Sequence, residues 1–171
     1  IAERGKSPDN HHSIPVPCGI EIGSDTVVRL SADCPNIVSI KEAGGNVERV
    51  SQLRAALPAE FEILSGDDSL TLPFMSVGAV GVISVASNII PREVVHLVGA
   101  WLARKPEAAA KLHRKWYPFF KALFVESNPV PIKTALSFQG KMTADVRLPL
   151  APLSEANTAG LHAVLREYDL L

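Results

Sequence analysis

One lysine in this sequence ends an apolar run, and this position makes it the strongest candidate for a reactive side chain. Lys41 follows Val38 and Ile40 directly, where a charged ammonium is costly unless it is paired or neutral. Desolvation lowers the pKa of such a lysine, and a neutral amine can attack a carbonyl carbon to form a Schiff base. The alternative is a lysine at the end of a strand that extends its charge into water. The pattern taken alone favours this second interpretation.

Further candidates follow two other apolar runs. Gly66 allows a close approach between the chain and a ligand, although an ordinary turn glycine is the simpler interpretation. Ile83 would offer main-chain groups rather than its side chain. Asp67 and Asp68 are adjacent acids, which are more typical of the start of a helix than of a metal site. Glu42 either pairs with a neighbouring base or ends a strand.

The sequence lacks the motifs that are typical of several kinds of active site. The five histidines show no HExxH spacing, and no P-loop, GxGxxG or GxSxG motif occurs. The sequence therefore shows no motif for binding a metal or an organic cofactor. With 17 basic and 18 acidic residues, the chain has no excess of positive charge for binding nucleic acid.

Other sequence features bear on where the protein is located and on whether it spans a membrane. The longest apolar run, residues 77–90, is interrupted by glycine, serine and asparagine and is too short to span a bilayer. The residues 1–10 are polar and charged, unlike a signal peptide. Only two cysteines occur, at Cys18 and Cys34, which fits a reducing, cytoplasmic setting.

The elements that must position these residues alternate along the chain. Strands are predicted over residues 36–41, 61–65 and 80–85, and helices begin near Ser24, Asn46 and Pro91. This alternation is typical of an α/β protein with a parallel sheet. Functional groups in such folds gather at the carboxyl ends of the strands, where Lys41, Gly66 and Ile83 would meet.

The two ends of the chain are different in character. Residues 1–17 are predicted to be a loop or frayed terminus, with weak support for a short strand over residues 12–14. Residues 106–124, 131–138 and 154–168 are predicted to be helices, with no strand after Val85.

Five sequence motifs occur in a fixed order, and together they resemble one family. The chain is similar to dihydrodipicolinate synthases, within the pyruvate-dependent class I aldolase superfamily that includes N-acetylneuraminate lyase. The motifs are SIKEAGGN at 39–46, LSGDD at 64–68, GVISVASN at 81–88, LFVESNPVPIK at 123–133 and RLPL at 147–150.

The resemblance implies a fold and a reaction. The family fold is a (β/α)8 barrel of about 250 residues, so a chain of 171 residues would hold only part of one. We expect a partial TIM barrel, about strands five to eight, over residues 1–105, and a helical C-terminal region over residues 106–171. Lys41 would form an imine with pyruvate, and Gly66 and Ile83 would line the pyruvate pocket through main-chain atoms. The imine would then condense with aspartate semialdehyde, in lysine biosynthesis.

The sequence departs from the family near its start. When residues 13–15 and 18–22 are aligned with the family pattern, His12 takes the position of the family's proton-relay tyrosine. Pro17 takes the position of its carboxylate-binding arginine. Two alternatives therefore stay open. One is a sister aldolase acting on a sugar acid or a 4-hydroxy-2-oxo acid. The other is an inactive remnant or a binding subunit.

A partial barrel has open edges and an uncovered inner face. We expect the chain to form a homo-oligomer or to pair with an N-terminal half-barrel, and an opening residue other than methionine is typical of a fragment. The residues expected on the uncovered face are Val38, Ile40, Ile63, Val82 and Ser84.

Overall fold

The protein was analysed as a computed structural model, which describes the backbone of residues 9–13 and all of residues 22–171. The chain divides into two compact units, Ile1–Ser84 and Val85–Leu171. The predicted boundary after residue 105 stays a prediction.

A parallel sheet organises the first unit. Its four strands are β1 (Asp9–Ser13), β2 (Ile37–Glu42), β3 (Glu62–Ser65) and β4 (Gly81–Val82). They lie side by side in chain order, and every neighbouring pair is parallel. The predicted α/β class with a parallel sheet is therefore confirmed.

Helices connect the strands. The first unit contains α1 (Ser24–Asp33), α2 (Val47–Ala56), a 3-10 turn (Asp68–Leu70) and α3 (Thr71–Ser76). Asn46 begins α2 as predicted, because its side-chain oxygen accepts hydrogen bonds from the backbone N–H groups of Glu48 and Arg49.

The expectation of a loop at the start of the chain is wrong for one segment. Asp9–Ser13 forms β1 and pairs with β2 over its whole length. The strand carries few of the side chains that favour strands. Parallel pairing uses backbone groups, so an edge strand of this sheet can form from polar residues.

The strand predicted over residues 80–85 is much shorter in the structure. Only Gly81 and Val82 pair with β3. The chain then turns into a 3-10 helix at Ala86–Asn88, which ends the extended backbone that the apolar pattern predicts.

The core of the first unit lies against the face that was expected to be bare. Ile40 and Ile63 are partners in the β2–β3 register, and both are 0% exposed. Helix α1 contacts β2 and α3 contacts β3, so helices cover this face. The expectation that Ile40 and Ile63 would be uncovered is therefore wrong. Val38 alone of the five is strongly exposed, at 40%.

The second unit consists of helices, as predicted. Beyond the 3-10 helix these are α4 (Pro91–Leu102), α5 (Pro106–Ala122), α6 (Val130–Phe138) and α7 (Glu155–Glu167). Its core contains aromatic and leucine side chains, including Trp116, Phe119, Leu123, Leu161 and Leu165. Among the helices that the structure describes, none combines the length and the hydropathy that crossing a bilayer requires.

The apolar side chains of α4 lie partly in the core and partly at the surface. Val94 is buried in α4, but Val95 and Leu102 are 66% and 61% exposed. Leu97 joins Val94 in the core instead, because residues three apart share a helix face.

Candidate active site

Lys41 is the second-to-last residue of β2, at the carboxyl end of the strand, and it is half-buried. Burial lowers the pKa of its ammonium below the ordinary value of 10.5, and the negative charge of Asp68 partly offsets that effect. The first interpretation, an amine with a lowered pKa, therefore gains physical support over a lysine fully extended into water.

Gly66 lies directly against Lys41. A Cβ atom on Gly66 would fall 3.0 Å from the Cε atom of Lys41 and 2.5 Å from the Cβ atom of Ala43. The backbone of Gly66 is not in the left-handed region, so the close approach, rather than a turn, requires glycine here. Its N–H group donates to the Glu42 carbonyl at 2.7 Å, which fixes the distance between the two strand ends.

Ile83 follows β4 at the same edge of the sheet. Its N–H group donates to the Ser65 carbonyl at 2.8 Å, so this amide already serves the sheet. The side chain of Ile83 is 38% exposed.

Glu42, the residue after Lys41, pairs with a base, as one of the two interpretations predicts. Its carboxylate is 0% exposed and accepts from Arg49 Nε at 2.8 Å and from the Gly44 N–H group at 2.7 Å. Arg49 also donates to Ser24 Oγ at 3.2 Å and to the Ile22 carbonyl. This buried network joins the end of β2 to α1 and α2.

The two adjacent acids have separate roles. Asp67 begins the 3-10 turn by accepting from the N–H group and the hydroxyl of Ser69, at 2.7 and 2.8 Å. Asp68 is 1% exposed and accepts a hydrogen bond from the Ser84 hydroxyl. Among the side chains that the structure describes, no group of three or more histidine, cysteine or acidic residues could hold a metal ion.

The sequence reasoning missed the Asp68–Ser84 contact. A signal for it exists, because Asp68 lies three residues after the end of β3 and Ser84 two residues after the end of β4. Neighbouring parallel strands bring such residues to one edge of the sheet.

The two positions that depart from the family pattern are placed differently. In the β1–β2 register the Cα atom of His12 is the partner of Lys41. Pro17 lies outside the described residues.

The last two motifs meet in the second unit. Lys133 Nζ donates a hydrogen bond to the Asp145 carbonyl. The start of α6 and the RLPL segment border a cleft of about 460 Å³, lined by Pro129, Lys133, Asp145, Val146, Arg147 and Leu150.

The arrangement in the first unit defines a class of site. A half-buried amine with a lowered pKa lies at the carboxyl end of a parallel strand, where its stem approaches Gly66 and the buried carboxylate of Asp68 acts on it electrostatically. Such an amine is suited to nucleophilic attack on a carbonyl carbon.

Comparison with known proteins identifies the family. The sequence profile of the dihydrodipicolinate synthetase family matches residues 1–168, and the chain belongs to this family. The chain is 44% identical over 171 residues to the 4-hydroxy-tetrahydrodipicolinate synthase of Geotalea uraniireducens. The match covers 100% of the chain but 59% of that relative, and the matched region is its C-terminal part.

Comparison with solved structures identifies the same family. The 4-hydroxy-tetrahydrodipicolinate synthase of Methylacidiphilum fumariolicum SolV superposes with a TM-score of 0.95 at 54% identity, over 98% of this chain and 56% of that one. The dihydrodipicolinate synthase of Aquifex aeolicus also gives a TM-score of 0.95, at 43% identity, over 99% of this chain and 58% of that one. The chain therefore spans less than two thirds of the length of these relatives.

Proposed function

We propose that this chain provides the imine-forming half of a dihydrodipicolinate synthase-type lyase. Lys41 condenses with pyruvate through Nζ, and main-chain atoms of Gly66 and Ile83 line the pyruvate pocket. The enamine that follows attacks aspartate semialdehyde, in lysine biosynthesis in the cytoplasm. No metal or organic cofactor takes part in these steps.

The observation that carries the proposal is the environment of the Lys41 amine. Burial lowers its pKa, which increases the neutral, nucleophilic fraction. Gly66 leaves room beside Cε that an alanine would fill.

The architecture that goes with this function is a partial (β/α)8 barrel. Four parallel strands in chain order support an assignment to strands five to eight, within residues 1–105, followed by a helical region over residues 106–171. The relatives are longer than this chain, which covers 59% of the first of them. We infer that the barrel is completed by a second copy of the chain or by an N-terminal half-barrel.

Borohydride trapping tests the chemistry. Reduction in the presence of pyruvate converts an imine into a stable secondary amine, and peptide mass spectrometry locates the adduct. We expect one adduct, at Lys41. Lys41→Met keeps most of the apolar stem and removes the amine, so it should lose the adduct.

The matched control is Lys121→Met, at an exposed lysine in the last turn of α5. This variant should keep the Lys41 adduct unchanged. An adduct spread over many lysines, or one that survives Lys41→Met, would contradict the assignment.

A sister aldolase is the second candidate, and one sequence observation favours it. Proline at position 17 cannot bind the carboxylate of aspartate semialdehyde, which the family arginine binds. A panel of aldehydes offered to the pyruvate-loaded chain distinguishes the two. Turnover with a sugar aldehyde but not with aspartate semialdehyde would favour the sister reaction. Trapping of pyruvate without turnover of any aldehyde would favour a binding subunit or an inactive remnant.

Assembly is tested separately by sedimentation at micromolar concentration. The exposed apolar side chains of the first unit include Val38, Val80 and Ile83, at 40%, 41% and 38% exposure. We expect self-association, or binding to an added N-terminal half-barrel. A monomer with a cooperative melt and no binding of an apolar dye would contradict this part of the proposal.

A further inference from the structure

Two buried carboxylates occur in the described part of the first unit, and they have different surroundings. Glu42 is 0% exposed and forms an ion pair with Arg49. Asp68 is 1% exposed, accepts a hydrogen bond from the Ser84 hydroxyl and acts electrostatically on Lys41. A buried carboxylate is costly unless hydrogen bonds and a positive charge compensate it. The electrostatic effect of Asp68 on Lys41 places the amine of the candidate site within the field of this carboxylate.

We propose that Asp68, oriented by Ser84, is a positioning residue that serves as the counter-charge for the cation at Nζ of Lys41. This inference rests on the proposed function for the imine step. It adds a residue to that step beyond Lys41, Gly66 and Ile83.

The backbone fixes this arrangement from three strand ends. The register aligns Lys41 of β2 with Leu64 of β3, and Leu64 with Gly81 of β4. Asp68 and Ser84 follow those strands at the same edge. Ser65 Oγ donates to the Asp67 carbonyl at 2.8 Å and accepts from the Asp67 N–H group at 3.2 Å, which holds the turn that carries Asp68.

Other titratable groups lie on the strands around Lys41. Glu62 aligns with Ser39 at the start of β3, two residues before Leu64, and it is exposed. His12 is the register partner of Lys41 on β1. Glu42 alternates to the opposite face, where Arg49 pairs with it. From the segment after β4, Ser84 contributes a hydroxyl, which is uncharged.

The chemistry gives the counter-charge two opposite effects. The lone pair of neutral Nζ adds to the ketone carbon, and the two amine protons leave with the ketone oxygen as water. The imine nitrogen takes up one proton from water, which gives it a single positive charge. A carboxylate beside Nζ stabilises that imine. The same carboxylate stabilises the resting ammonium and so reduces the neutral fraction of the amine. Removing it should produce a more reactive amine and a less stable imine.

The test uses Asp68→Asn, which keeps the shape of the side chain and an oxygen that can accept from Ser84. Competitive labelling with acetic anhydride, over a pH series and without pyruvate, reports the neutral fraction of Lys41. Borohydride trapping at a fixed, subsaturating pyruvate concentration reports the imine. We expect labelling of Lys41 at pH 8 to rise several-fold and the trapped adduct to fall several-fold.

Controls separate this role from a structural one. Glu62→Gln removes an exposed carboxylate on the same face and should change neither measurement, and Asp68→Glu should restore both in part. A folded Asp68→Asn chain whose labelling profile matches the unsubstituted chain would overturn the proposal. Loss of both signals at every pH, with no shift of the labelling profile, would assign Asp68 a structural role and overturn it as well.

Two further outcomes are distinguishable. If Asp68→Asn does not fold, Asp68→Ser provides a smaller uncharged side chain with a hydroxyl for Ser84, and the same pair of opposite changes is required of it. Failure of all three Asp68 variants to fold would overturn the proposal. If the unsubstituted chain forms no pyruvate adduct, the proposed function fails, while the labelling profile still decides whether Asp68 acts on Lys41.

Discussion

Gly66 and Lys41 approach each other so closely that a methyl group on the glycine would lie 3.0 Å from Cε of the lysine. The same methyl group would lie 2.5 Å from the Cβ atom of Ala43, a distance that real side chains do not adopt. The loop after β2 and the turn after β3 must therefore separate if Gly66 is replaced. This one contact connects the shape of the proposed pyruvate site to the stability of the sheet edge.

We expect Gly66→Ala to destabilise the chain by about 1–3 kcal/mol, the usual cost of overpacking, and to reduce pyruvate trapping at Lys41. Urea denaturation and borohydride trapping measure the two effects. Gly99→Ala is the matched control, because its Cβ would meet nothing within 4 Å in α4. That variant should gain about 0.5–1 kcal/mol and trap normally. A Gly66→Ala chain with unchanged stability and trapping would contradict the packing argument.

The buried pair of Glu42 and Arg49 gives a second prediction. Arg49→Met removes the Nε donor at 2.8 Å and leaves a carboxylate that is 0% exposed without its cation. We expect a loss of about 3–5 kcal/mol in the free energy of unfolding. The double variant Glu42→Gln, Arg49→Met should lose less, since its neutral amide can still accept from Gly44. Urea denaturation of the unsubstituted chain, Glu42→Gln, Arg49→Met and the double variant forms a double-mutant cycle, and additive losses would show that the two residues do not interact.

Much of the first unit could be predicted because its signals are local. The apolar run before Lys41 predicts β2 to within one residue at each end. Asn46 predicts the start of α2 because an N-cap is formed by a side chain and backbone groups two or three residues away.

Two features could not be predicted, for physical reasons. Asp9–Ser13 has a polar sequence, and its strand conformation depends on backbone hydrogen bonds to a partner more than twenty residues away. The Asp68–Ser84 contact joins residues sixteen apart in sequence, and it forms only when β3 and β4 pair. Periodicity and spacing show that Asp68 and Ser84 each follow a strand at one edge of the sheet, but not that their side chains form a hydrogen bond.

A third prediction concerns acid sensitivity in the second unit. Glu126 accepts from the N–H group of Ser154 at 3.1 Å, from its hydroxyl at 2.8 Å and from Asn157 Nδ2 at 2.7 Å. These hydrogen bonds, that of Asn157 foremost, hold the pKa of the Glu126 carboxyl below its ordinary value of 4.5. The carboxylate therefore stabilises the start of α7 fully above pH 4.5, and this contribution is lost as the pH falls through the lower folded pKa.

We expect Glu126→Gln to be less stable than the unsubstituted chain at neutral pH, with a difference that shrinks as the medium becomes acidic. Thermal melts over a pH series measure this. Glu155→Gln is the comparison, because Glu155 is an exposed acid in the first turn of the same helix. A Glu126→Gln deficit that is constant down to strongly acidic pH would contradict the assignment.

A fourth prediction follows from the lowered pKa of Lys41. Below its folded pKa the lysine is charged in both states, and the folded chain bears the full cost of desolvating the ammonium. Between the folded pKa and the unfolded value of 10.5, the folded state has released its proton and the unfolded state has not. Stability therefore rises with pH across that window. Lys41→Met avoids the cost of desolvating the ammonium and should lack this rise. Its advantage in unfolding free energy over the unsubstituted chain should therefore narrow as the pH approaches 10.5. Urea midpoints of both chains over a pH series test it, and parallel curves would contradict the pKa shift.

The last prediction separates imine formation from turnover. The residues of the proposed pyruvate site, Lys41, Gly66 and Ile83, all lie within the first unit, so we expect the chain to trap pyruvate by itself. Turnover needs proton transfer and binding of the aldehyde carboxylate, and the two positions aligned with those family roles are His12 and Pro17. Loss of positioned proton transfer alone costs about 100-fold or more in rate. We therefore expect a coupled assay with aspartate semialdehyde to show at least that deficit relative to a full-length family member, while borohydride trapping proceeds.

Pro17→Arg should recover part of the deficit only if the aldehyde carboxylate binds there, and Pro58→Arg, at an exposed proline, is its control. Turnover by the unsubstituted chain at the rate of a full-length relative would show that neither position limits the reaction.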